Sequence, residues 1–319
     1  MMKRITIISF AKKRKMIFDN PTFYHCYQRP LDRGVIFYDR FDHLLYFTII
    51  CVRSLQYNVK LLKLVQMPDH IHHSVIEQQQ GELSAFLDDV TSTFTREYNN
   101  AHGRKGPLFE RPFGRSAKKK DKLIRTNLIY LDNNPVERQL VKSAQEYRWN
   151  YLAYGASDYP FSEKIRLNRA SAALRRAVAI VKSIYEEETY LTYALLRTVF
   201  SFIQKDIEKE QLTDFIVSTY SELDHMTAWA HFGSYQNELA AAQASSGSEY
   251  DLKESFNGVN DSYYSDMTEL VLDSGLVKDV HEVYTMPIEK KQALFTLLKR
   301  KTAAHWRQIS SFLHYPLED

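Results

Sequence analysis

A chain of 319 residues, 44% hydrophobic and 25% charged, has the make-up of a globular protein and the length for two ordinary domains. Its apolar runs are too short and interrupted to span a bilayer. Its two cysteines, Cys26 and Cys51, make neither a disulfide framework nor a zinc site, so the expectation is a cytoplasmic protein without a membrane partner. The net charge of +3 hides an imbalance: residues 1–160 hold 25 Lys and Arg against 16 Asp and Glu, a net +9, while residues 161–319 hold 17 against 23, a net −6. A basic first half suits a polyanionic partner such as nucleic acid.

The N-terminus, MMKRITIISFAKKRKM, is basic with a short apolar run and no small-residue cleavage site. Residues 1–19 are therefore expected to be a basic arm and not a signal peptide. TFYHCYQ, residues 22–28, reads as a strand. Phe41, Leu44, Leu45, Ile49 and Val52 fall at helical spacing, which predicts a helix over 41–55. Residues 58–67 and 70–77 read as strands joined by a Met-Pro-Asp turn. Leu83, Phe86, Leu87, Val90 and Phe94 mark the buried face of a second helix, residues 106–115 a basic strand, and residues 121–133 a helix ended by Pro135. The order is β-α-β-β-α-β plus one helix, which predicts an α+β fold with a ferredoxin-like split βαβ domain. YGASDYPFSEK (154–164) is rich in turn residues and coincides with the charge reversal, so a boundary is placed there. Beyond it, residues 165–319 read as a mainly α-helical accessory domain, with helices at 167–184 and 189–209. A long polar loop follows at 242–262, and a helix pair within 287–316 turns near 301–303 and is a candidate for DNA binding.

QMPDHIHHSV (66–75) carries three histidines in four positions. In a strand, side chains alternate between faces. His70 and His72 then share one face, and His73 points with Ile71 and Val75 towards a core. Two histidines need a further ligand before a metal site closes. The helix at 121–133 ends in NLIYLDNNP, which sets Tyr130 and Asn134 one turn apart on one face. Asn134 offers a carbonyl oxygen to a hard cation and Tyr130 a phenol that can act as a nucleophile. On the residues alone a second account stands beside this one: Tyr130 packs in the core and Asn134 caps the helix.

MPDHIH, GPLFERPF (106–113), YLDNNPVERQLV (130–141) and YRW (147–149) occur in an order that resembles the single-tyrosine HUH transposases, closest to the REP-associated tyrosine transposases and their insertion-sequence relatives. YHCYQR with DRGVIF resembles the opening of the same domain, so the likeness covers about residues 20–155. The resemblance implies that His70, His72 and Asn134 bind a divalent cation, Mg²⁺ or Mn²⁺. It implies that Tyr130 attacks a scissile phosphate to form a 5′-phosphotyrosine link. It also implies a single-stranded DNA partner with hairpin ends. Asp69 departs from the usual Asn, and Asp132 stands where His or Tyr is frequent; its spacing from Tyr130 predicts an exposed residue on another helix face.

RKGPLFERPFGRSAKKK (104–120) interleaves positive charge with Phe109 and Phe113. The rings are expected to turn inward, leaving Arg104, Lys105, Arg111, Arg115, Lys118, Lys119 and Lys120 to contact DNA phosphates. Lys12–Lys15 could add a flexible arm. Three functions follow as expectations. The first is a metal-dependent DNA strand transferase and transposase. The second is a transposase-derived hairpin binder that no longer cuts, and the third a metal-dependent phosphodiesterase using water. A homodimer is one expected assembly.

Overall fold

The computed structural model describes residues 21–245 and 260–315. The basic arm at 1–19, the run Lys12–Lys15 and most of the polar stretch 242–262 lie outside the described residues. The described part is α+β. It runs β1 (Thr22–Gln28), α1 (Arg40–Ser54), β2 (Val59–Met67), β3 (His70–Glu77), α2 (Glu82–His102), β4 (Gly114–Lys118) and α3 (Asp121–Glu137). The four strands form one antiparallel sheet in the order β2-β3-β1-β4. Strand β3 therefore sits between β1 and β2, the two strands that α1 connects.

Sequence alternation decides the two faces of this sheet. Cys26 pairs with His73, and Tyr27 with His72. On one face Cys26, Ile71 and Val75 join the main core with Leu44, Leu45, Phe86, Val90 and Phe94 from α1 and α2. His73 lies on this face as well, bonded to the Tyr46 hydroxyl at 2.7 Å, and burial holds its pKa down to about 3. The opposite face carries Phe23 and Leu62 against Leu128, and Val65 and Met67 against Tyr130 and Leu131, so α3 covers it.

Local chemistry places the ends of these elements. Asp39 caps α1 through the amides of Phe41 and Asp42 at 2.7 and 3.1 Å, and the Asp42 carboxylate accepts the Asp39 amide in return. Helix α2 stops at Gly103, whose φ of +64° suits glycine. Pro135 does not end α3, contrary to the sequence expectation. The helix continues to Glu137 and closes through the Arg138 amide on the Asn134 carbonyl. Pro135 has no N–H to give the Leu131 carbonyl, but the helix has only two residues left to run. The basic strand also lies further on than expected: Phe109 is buried in a loop segment that bridges Pro30, and β4 begins at Gly114.

The second half adds α4 (Ala172–Glu186), α5 (Tyr193–Ser201), α6 (Asp206–Tyr220), α7 (His225–Ala230), α8 (Tyr235–Ser245), α9 (Tyr263–Asp273), α10 (Ile288–Lys301) and α11 (Trp306–Leu313). The single helix expected over 189–209 is two, because the chain breaks between Ser201 and Asp206. The expected helix pair at the end is α10 and α11, with the turn after Lys301. Residues 154–164 do not interrupt the packing. Leu174, Val178, Leu196, Leu212 and Ile216 share one apolar cluster with α1, α2 and the sheet. A separate cluster joins Val35 to α9, α10 and α11. Among the described residues, no helix is long and apolar enough to cross a membrane.

Candidate active site

Helix α3 lies over the sheet face that carries His70 and His72, and brings Tyr130 and Asn134 to them. The Asn134 amide nitrogen lies 3.2 Å from His72 Nε2 and donates to the Tyr130 hydroxyl at 3.2 Å. The His70 and His72 rings meet edge to face, with centroids 4.8 Å apart. The His72 and Tyr130 rings do the same at 5.6 Å. All four side chains are buried. The four residues expected from the sequence thus converge, although they come from two elements about 60 positions apart.

Each imidazole is held by its other nitrogen. Asp69, in the β2–β3 turn, bonds His70 Nδ1 at 2.5 Å, and His25 Nε2 bonds His72 Nδ1 at 3.0 Å. With a proton on Nδ1, His72 accepts at Nε2, the nitrogen facing Asn134 and Tyr130. Burial, with the His70 and His25 rings close by, keeps the His72 pKa well below its usual value, so the ring is neutral and its lone pair is present. His25 is likewise neutral: burial, with Lys118 nearby, lowers its pKa to about 3.

Asn134 Oδ1 is buried without a hydrogen-bond partner among the described residues. Such an orphan costs about 1–3 kcal/mol unless something else satisfies it. A half-turn of the amide would bring this oxygen to the position that now adjoins His72 Nε2 and Tyr130. Two imidazoles, that of His72 neutral, and an unsatisfied carboxamide oxygen are a donor set that accepts a divalent cation completed by oxygen ligands. The residues present therefore fit the expected metal.

No protein-family model matches the chain, and no curated protein matches it. Among solved structures, a REP-associated tyrosine transposase bound to a REP hairpin aligns over 46% of this chain and 84% of its own, with 18% identity and a TM-score of 0.34. A likeness at that score fixes neither the detail of the fold nor an activity.

A second buried group also has metal-like spacing. Asp42, His102 and His281 offer ligand atoms all within 4.8 Å of one another. Their protonation argues for a different role. His281 donates Nδ1 to Asp279 at 2.6 Å and Nε2 to Asp42 at 2.9 Å. Burial opposes its charge, but Asp42 and these bonds lift its pKa to about 10. An imidazolium has no lone pair to give a cation. The His102 ring stacks on His281 at 3.7 Å and 13°, so the two rings cannot both point a lone pair at one ion in their own planes. Spacing alone would admit a metal here. The bonding describes an ion pair that fastens α1 to the chain before α10.

Asp132 overturns its expected exposure. It is fully buried and pairs with Lys63, which also lies 3.1 Å from Glu238 of α8. Burial, with the Glu238 charge, raises the Asp132 pKa to about 7 against the pull of Lys63. The helix face turned away from Tyr130 is covered by α8 and not by solvent, which local spacing could not reveal.

The basic residues divide. Lys105, Arg111, Arg115, Lys119 and Lys120 are exposed around β4, and Lys118 is half-buried. Arg104 holds its own loop through Asn99 and the carbonyls of Gly106 and Pro107, at 2.8–3.2 Å. At the C-terminus, Lys290, Lys299, Arg300, Lys301 and Arg307 are exposed, whereas Lys291 is buried on the His314 carbonyl at 2.8 Å. Helix α11 turns Ile309, Phe312 and Leu313 into the core, leaving His305, Trp306 and Arg307 outward at its start. The sequence reading missed His25 and Arg138. The alternation of TFYHCYQ already sets His25 on the face of Phe23 and Tyr27. Nothing local in the sequence says that this face is also that of His72.

Proposed function

We propose that this protein is a metal-dependent DNA strand transferase of the single-tyrosine HUH kind, cutting and rejoining single-stranded DNA beside a hairpin. The observation that carries the reading is the meeting of Tyr130, Asn134, His72 and His70, with the Asn134 carboxamide oxygen left unsatisfied. A core tyrosine beside a capping asparagine accounts for neither that oxygen nor the two imidazoles held from behind. The motif order along residues 20–155 supports the family. The β2-β3-β1-β4 strand order supports the ferredoxin-like reading of the catalytic unit, and the described helices α4 to α11 would be its accessory part.

In this reading His70, His72 and Asn134 would hold Mg²⁺ or Mn²⁺, which would polarise the scissile phosphate and favour the phenolate. Tyr130 Oη forms a bond to phosphorus as the bond to the 3′-oxygen breaks. The phenolic proton leaves with solvent, and the departing strand ends in a 3′-hydroxyl. The link conserves the phosphodiester bond, so the reverse attack by another 3′-hydroxyl rejoins DNA without a nucleotide cofactor. Before a cation binds, the Asn134 amide bonded to the Tyr130 oxygen holds the nucleophile in place, and turning the carboxamide oxygen to the cation would release that bond. Lys105, Arg111, Arg115 and Lys118–Lys120 lie along the edge strand β4 and its flanks, where they can follow a DNA backbone, with Arg104 shaping their loop.

All four site side chains are closed off from solvent, at 0–3% exposure, so entry of a strand requires the covering chain to move. This enclosure favours a second reading, a hairpin binder that does not cut. Covalent trapping separates the two. Protein, Mn²⁺ and single-stranded hairpins from the DNA flanking its gene are resolved on a denaturing gel. The expected result is a DNA adduct that disappears in Tyr130→Phe. Cleavage that persists in that variant indicates a water-using phosphodiesterase. Binding without cleavage by either protein indicates the non-cutting reading.

A further inference from the structure

The chain of charges behind His70 does not end in the first half. Asp69 holds His70 Nδ1 at 2.5 Å, and its other oxygen accepts from Arg138 Nη2 at 3.3 Å. Arg138 follows Asn134 by one helical turn. Its guanidinium is gripped in two-point fashion by Asp261, with Nε to Oδ2 at 2.7 Å and Nη2 to Oδ1 at 2.9 Å. The Asp261 amide also donates to the Arg138 carbonyl at 2.9 Å. Asp261 is fully buried and belongs to the second half, 123 residues from Arg138.

We infer that Asp261 is a positioning residue for the candidate ligand His70, acting through Arg138 and Asp69, so that the helical second half completes the metal site. The inference rests on the strand-transferase reading of that site and adds to it a role for the second half.

The physical need is specific. His70 stands at the first position of β3, next to a turn, where its ring is less constrained than one in mid-strand. A carboxylate on Nδ1 fixes both the ring orientation and the tautomer, leaving Nε2 as the nitrogen with a lone pair. Asp69 is itself a turn residue and needs an anchor, which Arg138 provides. A lone arginine has several rotamers, and the two-point bond to a buried carboxylate selects one of them. Asp261 is fixed in turn by the Tyr264 amide on its carbonyl at 3.0 Å, and by Gln308 of α11 on the Asn260 carbonyl at 2.9 Å. His72, by contrast, is held by His25, which lies in the central strand and needs no help from the second half.

The bland alternative is that Arg138–Asp261 only docks the two halves. The pair Asp42–His281 docks the same halves elsewhere and touches none of the site residues, so it provides the control.

The experiment measures Mn²⁺ affinity of the full chain by the free-ion electron paramagnetic resonance signal, with His72→Ala marking what belongs to the site. Asp261→Asn keeps the shape and removes the charge. It is expected to weaken the His72-dependent Mn²⁺ binding by about tenfold or more, and Asp261→Glu to recover most of the loss. Asp69→Asn, which leaves the Arg138–Asp261 pair in place, is expected to weaken it as much. His281→Gln is expected to leave it within about twofold. Unchanged binding in both Asp261→Asn and Asp69→Asn overturns the inference while the metal-site reading stands. An equal loss in His281→Gln also overturns it, in favour of plain docking. A native chain with no Mn²⁺ binding that His72→Ala removes overturns the reading itself, and the inference with it.

Discussion

Two buried histidine clusters, some of whose members lie on neighbouring elements, have reached opposite electrostatic states. At the sheet, His25 and His72 are neutral, hydrogen-bonded to each other, and close to a carboxamide oxygen that lacks a partner. At the end of α2, His281 is charged, both its nitrogens are spent on carboxylates, and His102 stacks on it with a pKa lowered by burial and that charge to about 4. The second cluster satisfies a distance test for a metal and the first supplies lone pairs for one. The comparison teaches that available electron pairs, not spacing, separate a ligand set from a structural ion pair.

Several substitutions would break or sharpen this contrast. The largest effect is expected from Tyr130→Phe, which should abolish the covalent DNA adduct on a denaturing gel while hairpin affinity stays within about twofold, since one hydroxyl is removed from a site that phosphates elsewhere anchor. Next, His72→Ala should cost on the order of 100-fold or more in Mn²⁺ affinity, and His102→Ala should leave it unchanged. Equal losses from the two would erase the distinction between the clusters.

His281→Ala should act on stability instead. It leaves Asp42 buried without its main cation, at a cost of roughly 3 kcal/mol near pH 7 in thermal or urea unfolding. The pH dependence has a defined sign. The folded pKa of His281 is raised to about 10, so its contribution is complete below the unfolded value near 6.5 and is lost as pH rises through about 10. The gap between native protein and variant should therefore narrow steadily from pH 6.5 to 10. A gap that widens over that range would refute the charged state. The smallest effect is expected from neutralising one exposed lysine, such as Lys119→Ala. It should weaken hairpin binding a few-fold and lower the salt slope by about one, with Mn²⁺ affinity unaltered.

Local patterns account for what was legible before the structure. Strands β1 and β3 stand where they were expected, and Leu83, Phe86, Leu87, Val90 and Phe94 are buried positions of α2, because burial on one face imposes its period on the sequence, whereas α1 is buried on nearly every side. The same alternation separated His70 and His72 from His73. One helical turn joined Tyr130 to Asn134, and their hydrogen bond follows from that spacing.

The misreadings have a common source. The break between α5 and α6, the continuation of α3 past Pro135 and the burial of Asp132 depend on what packs against each segment. The sequence by itself determined the order of the first-half elements, the shared faces of His70 with His72 and of Tyr130 with Asn134, and the residue types able to bind a cation. Only the tertiary structure decided that His25 backs His72, that Lys63 and Glu238 enclose Asp132, and that Asp261 reaches Arg138. Those contacts join positions 47 to 175 residues apart through sheet register and helix docking, and no local period encodes a partner at that distance.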